Sequence, residues 1–300
     1  MLERPPLRSD WTDAVARGAV PDPAALQDHL RRVHRDHAGF TERCAARCRD
    51  AQGRSSYEWL AETVDPTVHR SVLDLACGSG PLLEICHRCL PQELTLIGVD
   101  MSPEELALTR ARLPASRARL IEARAQALDM LPDGSVDVGL CHWALTLMDP
   151  VAPVLAEMAR VIAPTGRFAA IVDGPMDAAP GYAELHDLVY GHVRAELPGY
   201  GSTDLGDPRI RDAESLASLV DRTFPEACVE IESGLVSMEG PAERIAEEAA
   251  GFFYAAFVLP AERRAAMLAD LTDLLRTDAP SGAGARFVMP INRLLVQRGR

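Results

Sequence analysis

Nine residues, Val72-Leu73-Asp74-Leu75-Ala76-Cys77-Gly78-Ser79-Gly80, constrain this chain more than any other stretch. They read as a short apolar strand running into an acidic, glycine-bearing turn. Pro81 then opens a helix, at a position where the missing proline N–H costs nothing. A dinucleotide-binding turn needs glycine at its first, third and sixth positions, so that helix and strand pack closely and a pyrophosphate sits on the helix N-terminus. Gly78 and Gly80 fill the first two, but Leu83 holds the third. The turn is also entered through Asp74, a carboxylate that repels a pyrophosphate and favours an ammonium or sulfonium cation. A second apolar run, residues 94–99, ends in Asp100, twenty residues after Gly80. An acidic side chain at that spacing is placed to accept both hydroxyls of a ribose. The two carboxylates therefore bracket a nucleoside that carries a positive charge.

With these residues in place, the sequence resembles the class I S-adenosylmethionine-dependent methyltransferases. VLDLACGSG at 72–80 looks like that family's first motif and GVDMSPEEL at 98–106 like its second. ARAQALDMLPDGSVDVGLCHWALTLMDP at 123–150 and EMARVIAPTGRFAAIV at 157–172 are similar to the third and fourth. The four follow in the family's order, and the resemblance covers roughly residues 70–173.

Composition narrows the partners. The net charge is −13, which repels phosphate backbones and gives no non-specific grip on nucleic acid or anionic lipid. No lysine occurs among the 31 basic residues, so neither a Schiff-base lysine nor a phosphate-binding P-loop lysine is available. Seven scattered cysteines, an odd number, fit reduced thiols in a cytosol. The N-terminal residues lack the apolar core of a signal peptide, and no apolar stretch reaches spanning length, so the expected location is cytoplasmic.

In chain order, residues 1–22 are Pro- and Asp-rich and are expected to be loosely ordered. Helical periodicity runs from 22 to about 51, and a further helix covers 55–63. Strands are expected at 71–76, 94–99, 119–123, 136–141 and 167–172, alternating with helices at 81–90, 103–113 and 150–162. Ser102 should cap the second of these helices and Asp149 the third. Such alternation implies a parallel sheet. Helices near 183–196 and 214–220, a strand at 228–237, helices at 241–258 and 261–276 and a last strand at 287–296 complete the reading. The fold expected is α/β, a doubly wound, mostly parallel seven-stranded sheet of Rossmann-like type. Residues 1–70 would form an N-terminal helical cap and 71–175 the S-adenosylmethionine-binding core. Residues 176–300 would complete the sheet and add a helical insert beside the substrate, the whole being one structural domain. Phe252, Phe253, Tyr254 and Phe257 in that insert read as core packing, with one face available to an apolar substrate.

The resemblance implies roles for individual residues. Asp74 should lie near the methionine amino group, with the backbone of Ala76 and Gly78 as acceptors and Gly80 completing the turn. Asp100 should bind the ribose, Met101 should pack on the adenine, and the backbone of Ala125 and Gln126 should meet its edge. Many members carry Asp just before that stretch, where this chain has Arg124, so Asp129 or Gln126 would have to take over that contact. By position, Arg54 or Tyr57 would touch the cofactor's carboxylate.

Cys141 and His142 end the fourth strand, at the carboxyl edge where open sheets bind ligands. His142 is the candidate base or substrate-orienting group; the alternative is a cofactor contact through its backbone while the ring packs. Methyl transfer is an in-line displacement, and a base is needed only when the acceptor arrives protonated. His29, His34, His37, Cys44 and Cys48 lack the tight paired spacing of a zinc site, and no metal is expected. The expectation is thus a methyltransferase, monomer or homodimer, that acts on a small-molecule acceptor in secondary metabolism, at O, N or C, and releases S-adenosylhomocysteine. The alternatives are an RNA or protein methyltransferase, and a cofactor-binding protein without methyl transfer.

Overall fold

A computed structural model describes residues 5–201, 205–277 and 284–299. The chain divides into two compact units. The first comprises Met1–Gly53, Met176–Asp204 and Leu235–Pro290; the second comprises Arg54–Pro175, Leu205–Gly234 and Ile291–Arg300.

The chain opens in the first unit with α1 (Asp10–Ala16), α2 (Pro23–Asp36) and α3 (Phe40–Ala45). Two expectations are corrected here. Residues 10–16 are not loose: Ser9 and Thr12 form a capping box, and Trp11 is fully buried against the ring of His29 and the edge of Tyr200. Those partners come from far along the chain, which is why local composition misled. The helical stretch 22–51 is also broken, because Gly39 adopts a left-handed conformation (φ 73°) between α2 and α3. Among the histidines and cysteines of this stretch, His34 bonds Tyr254, His37 lies against Phe257, and the Cys44 and Cys48 sulfurs are 4.0 Å apart.

The second unit begins with α4 (Ser56–Ala61) and then alternates β1 (Ser71–Leu75), α5 (Pro81–Cys89), β2 (Thr95–Asp100), α6 (Pro103–Arg112), β3 (Ala118–Glu122), β4 (Val136–His142), α7 (Ala152–Val161) and β5 (Ile162–Asp173). After α8 (Tyr182–Glu196), which belongs to the first unit, α9 (Ala213–Thr223) returns to the second. The chain ends with β6 (Cys228–Gly240), α10 (Ala242–Phe252), α11 (Ala261–Thr277) and β7 (Ala285–Gln297). The expected helix 241–258 stops at Phe252 and gives way to a 3-10 turn, Tyr254–Val258.

The seven strands form one sheet in the order β3-β2-β1-β4-β5-β7-β6. Pairing is parallel from β3 to β5, and β7 runs antiparallel to β5. The order reverses between β1 and β4, the switch point at which open sheets bind ligands beyond the carboxyl ends of their strands. Asp74 of β1 is in register with Gly98 on one side and Leu140 on the other. Both faces of β1 and β4 are covered, so these strands read as near-continuous apolar runs.

Two helix starts differ in kind. Ser102 caps α6 as expected, its hydroxyl accepting from the Glu105 amide. Asp149 does not cap α7: Val151 occupies the cap position, with no side-chain hydrogen bond, two residues after Asp149 joins Pro150 through a cis peptide. Pro150 and Pro153 lie too close to that start for local pattern to place it.

Candidate active site

The site is built at the carboxyl ends of β1, β2 and β4. Ala76, Gly78 and Gly80 all have positive φ (56°, 52° and 83°), so the turn after β1 coils tightly under the start of α5. At Gly80 this conformation and a neighbour both demand glycine, since a Cβ there would lie 2.6 Å from Thr109 Cγ2. Thr109 also donates its hydroxyl to the Gly78 carbonyl at 2.7 Å, tying the turn to α6.

Asp100 is fixed from two sides. Its Oδ2 accepts from the Gly78 amide and its Oδ1 from the Ser102 amide, both at 2.8 Å. Its carbonyl accepts from Ala123, which anchors the loop carrying Ala125 and Gln126. Ala125, Gln126 and Met101 are half-buried, whereas Arg124 and Asp129 are exposed.

Asp74 is buried, and its Oδ2 has no hydrogen-bond partner. Burial first, and then the nearby Asp100 charge, push its pKa well above the ordinary carboxylate value. The same environment disarms the thiols. Burial, reinforced by Asp74, pushes Cys141 up to about 12, and Cys77 is also raised well above its usual value. Neither is poised as a nucleophile.

His142 stands at the end of β4 with its ring stacked on Tyr57 at 3.7 Å between centroids. Its Nε2 shares a 2.9 Å hydrogen bond with Ser56 Oγ. Burial lowers its pKa to about 3, so the imidazole is neutral at physiological pH. α4 is placed for this by a capping box between Ser55 and Glu58, which leaves Ser56 and Tyr57 in its first turn.

Asp74, Ala76, Gly78, Gly80 and Asp100 thus come together, and Tyr57 and His142 form a second, contiguous group. Arg54 is engaged elsewhere: it pairs with Glu62 at 2.7 Å and lies over the Trp59 ring. Ser56, Thr109 and Trp143 were not legible beforehand. Trp143 has φ 57°, an outlier for a bulky residue, and its indole N–H donates to Asp173 at 2.9 Å. Only its place beside His142 in sequence hinted at it.

The sheet order, the antiparallel last strand and the acidic turn at the switch point define a Rossmann-like fold of the class I methyltransferase type. Comparison with known proteins agrees. Residues 73–170 match the protein family described as a methyltransferase domain. An uncharacterized methyltransferase of Mycobacterium tuberculosis is 38% identical over 143 residues, covering 46% of this chain and 54% of the relative. The chain spans about half the length of the curated relatives it matches first. Among solved structures, the YcgJ protein of Bacillus subtilis aligns with a TM-score of 0.55 at 16% identity, covering 82% of this chain and 98% of that one. The [4+2]-cyclase SpnF aligns with a TM-score of 0.53 at 16% identity, covering 93% and 97%. Residues 73–170 thus match a methyltransferase domain, set in the fold of the class I S-adenosylmethionine-dependent methyltransferases.

The residues present fit the cofactor of that family. A buried carboxylate oxygen at Asp74 lacks a partner, and an ammonium group would provide one. At Gly78 a Cβ would meet only Glu105 Oε2, at 3.9 Å, so the turn leaves its outer side open to a ligand.

Proposed function

We propose that this protein transfers a methyl group from S-adenosylmethionine to a small-molecule acceptor and releases S-adenosylhomocysteine. One observation carries the reading: the unpartnered, buried Asp74 oxygen, next to an Asp100 carboxylate already held in place by two backbone amides. A buried acid without a partner is costly to keep unless a cation completes it. Bound S-adenosylmethionine would supply an electrophilic methyl group on a sulfonium.

The protein's part is to bind, orient and keep water away. Asp74, with the backbone of Ala76 and Gly78, would hold the methionine amino group. Asp100, oriented by the Gly78 and Ser102 amides, would accept from the ribose hydroxyls. Met101, Ala125 and Gln126 would meet the adenine. Arg54, paired with Glu62, is a poorer candidate for the cofactor carboxylate than Tyr57. His142 favours orientation over proton transfer. A group with a pKa of about 3 holds a proton about one part in ten thousand of the time at pH 7. An acceptor that arrives protonated would therefore lose its proton to a group other than His142.

The small-molecule preference is supported by the charge of −13, which offers nucleic acid no general grip. Secondary metabolism is proposed as its setting, in the cytoplasm, with the protein a monomer or homodimer. No helix among the described residues is long and apolar enough to cross a membrane.

Calorimetric titration with S-adenosylmethionine and S-adenosylhomocysteine tests the reading. Binding of both, followed by S-adenosylhomocysteine release with a phenol, amine or carboxylate acceptor, supports it. Binding without release on any acceptor class turns it into a cofactor-binding protein without transfer, and methyl incorporation into RNA or protein moves the substrate class. Absence of binding in a folded sample overturns it.

A further inference from the structure

The first unit contains a cavity of about 370 Å³ whose walls are chemically distinct. One wall is residues 5–8, with Pro5, Pro6 and Leu7 supplying apolar surface and Arg8 a guanidinium. The other is the last turn of α2, where Arg32, Arg35 and Asp36 share one helix face, followed by His37. The Leu7 amide bonds the Phe257 carbonyl, and the His37 ring lies against Phe257, so both walls are anchored to one element.

Arg32 pairs with Asp28 at 2.7 Å, and Arg35 with Asp36 through two bonds of 2.8 and 3.1 Å. The Arg8 guanidinium makes no hydrogen bond or ion pair with a described residue. Arg8, Arg32 and Arg35 thus line the cavity beside Asp36, in a protein whose net charge is −13. Cations at a helix C-terminus offset its partial negative charge, but that amounts to only about half an elementary charge. Arg8, outside the helix, is not needed for it. Guanidinium groups present planar pairs of donors that match carboxylate and phosphate oxygens.

We propose that this cavity binds a small molecule bearing a phosphate or carboxylate on an apolar body. Its oxyanion would meet Arg8 and Arg32, and its apolar part would lie on Pro5, Pro6 and Leu7. The site is distinct from the one formed by Asp74 and Asp100 and does not depend on methyl transfer.

The test is calorimetric titration of the full chain with phenyl phosphate and with benzoate, alongside inorganic phosphate and neutral benzyl alcohol. At least one of the two aromatic anions should saturate a single site, more tightly than inorganic phosphate, while benzyl alcohol should not bind. The stronger of the two identifies the oxyanion. Affinity should fall as sodium chloride is raised, because the contacts are exposed charges. R8Q and R32Q should each weaken binding at least about fivefold through loss of a charge-assisted contact. Arg8 is exposed, so R8Q tests the site even if R32Q disturbs α2. Asp100→Ala should leave this binding intact. Lack of saturation by either anion, or unchanged affinity in R8Q and R32Q, would overturn the proposal.

Discussion

Gly78 donates its amide to Oδ2 of Asp100 across 2.8 Å, joining the turn after β1 to the tip of β2. The bond fixes the two halves of the site to each other before any ligand arrives. Asp100→Ala removes this link as well as the acceptor proposed for the ribose. S-adenosylhomocysteine affinity should fall at least about tenfold, about 1.4 kcal/mol. Calorimetry on the folded variant checks this; undiminished affinity would put the nucleoside elsewhere.

Asp74 should trade stability for binding. Its pKa is raised in the folded state, so the native protein holds a proton that the unfolded chain releases above the ordinary value of 3.8. That contribution is fully present below 3.8 and is lost as pH rises through the raised folded value. Asp74→Asn removes the penalty. The ligand-free variant should melt higher than the native protein at pH 8, with the gap narrowing as pH falls towards 3.8. Its cofactor affinity should drop at least about tenfold. Parallel loss of stability and affinity would show that Asp74 is a structural group instead.

Histidine burial sets the acid limit. His142 is held down to about 3 and His29 to about 4, while unfolded histidine protonates near 6.5. As pH falls below 6.5 the unfolded chain takes up protons that the native state refuses, so stability declines down to the folded values. His142→Gln should flatten this decline by about one proton equivalent between pH 6 and pH 4 in denaturant titrations. A slope identical to that of the native protein would mean that the ring titrates freely.

The turn after β1 should tolerate no side chain at its last position. Gly80→Ala places a methyl group 2.6 Å from Thr109 Cγ2 on a backbone at φ 83°. A loss of roughly 2–3 kcal/mol is expected from overpacking and left-handed strain combined. Combining it with Thr109→Ala should recover only the steric part, because the backbone strain remains. Full recovery in thermal melts would assign the whole effect to Thr109.

How far the sequence reached differs between the two parts of the chain. Around the sheet it reached nearly everything. Strands with both faces covered are apolar throughout, Pro81 and Pro103 mark helix starts, and the acidic glycine turn fixes the switch point. These signals are local, so β1 to β5 and their helices lie within a few residues of expectation, the early start of β5 at Ile162 excepted. Residues 1–53 were read less well, since the burial of Trp11 and the break at Gly39 depend on partners distant in sequence.

The same division runs through the site. The sequence by itself determined the anionic turn, the carboxylate at the tip of β2 and the position of His142, because each depends on residue type at a short spacing along one strand-turn-helix unit. Only the tertiary structure decided that Asp74 keeps an oxygen without a partner and that Gly78 and Ser102 clamp Asp100. It also decided that Ser56 and Tyr57, 86 and 85 residues before His142, bond and stack on a ring that burial keeps neutral. Hydrogen bonding and desolvation are set by what surrounds a group in space, and for these residues the surroundings come from distant parts of the chain.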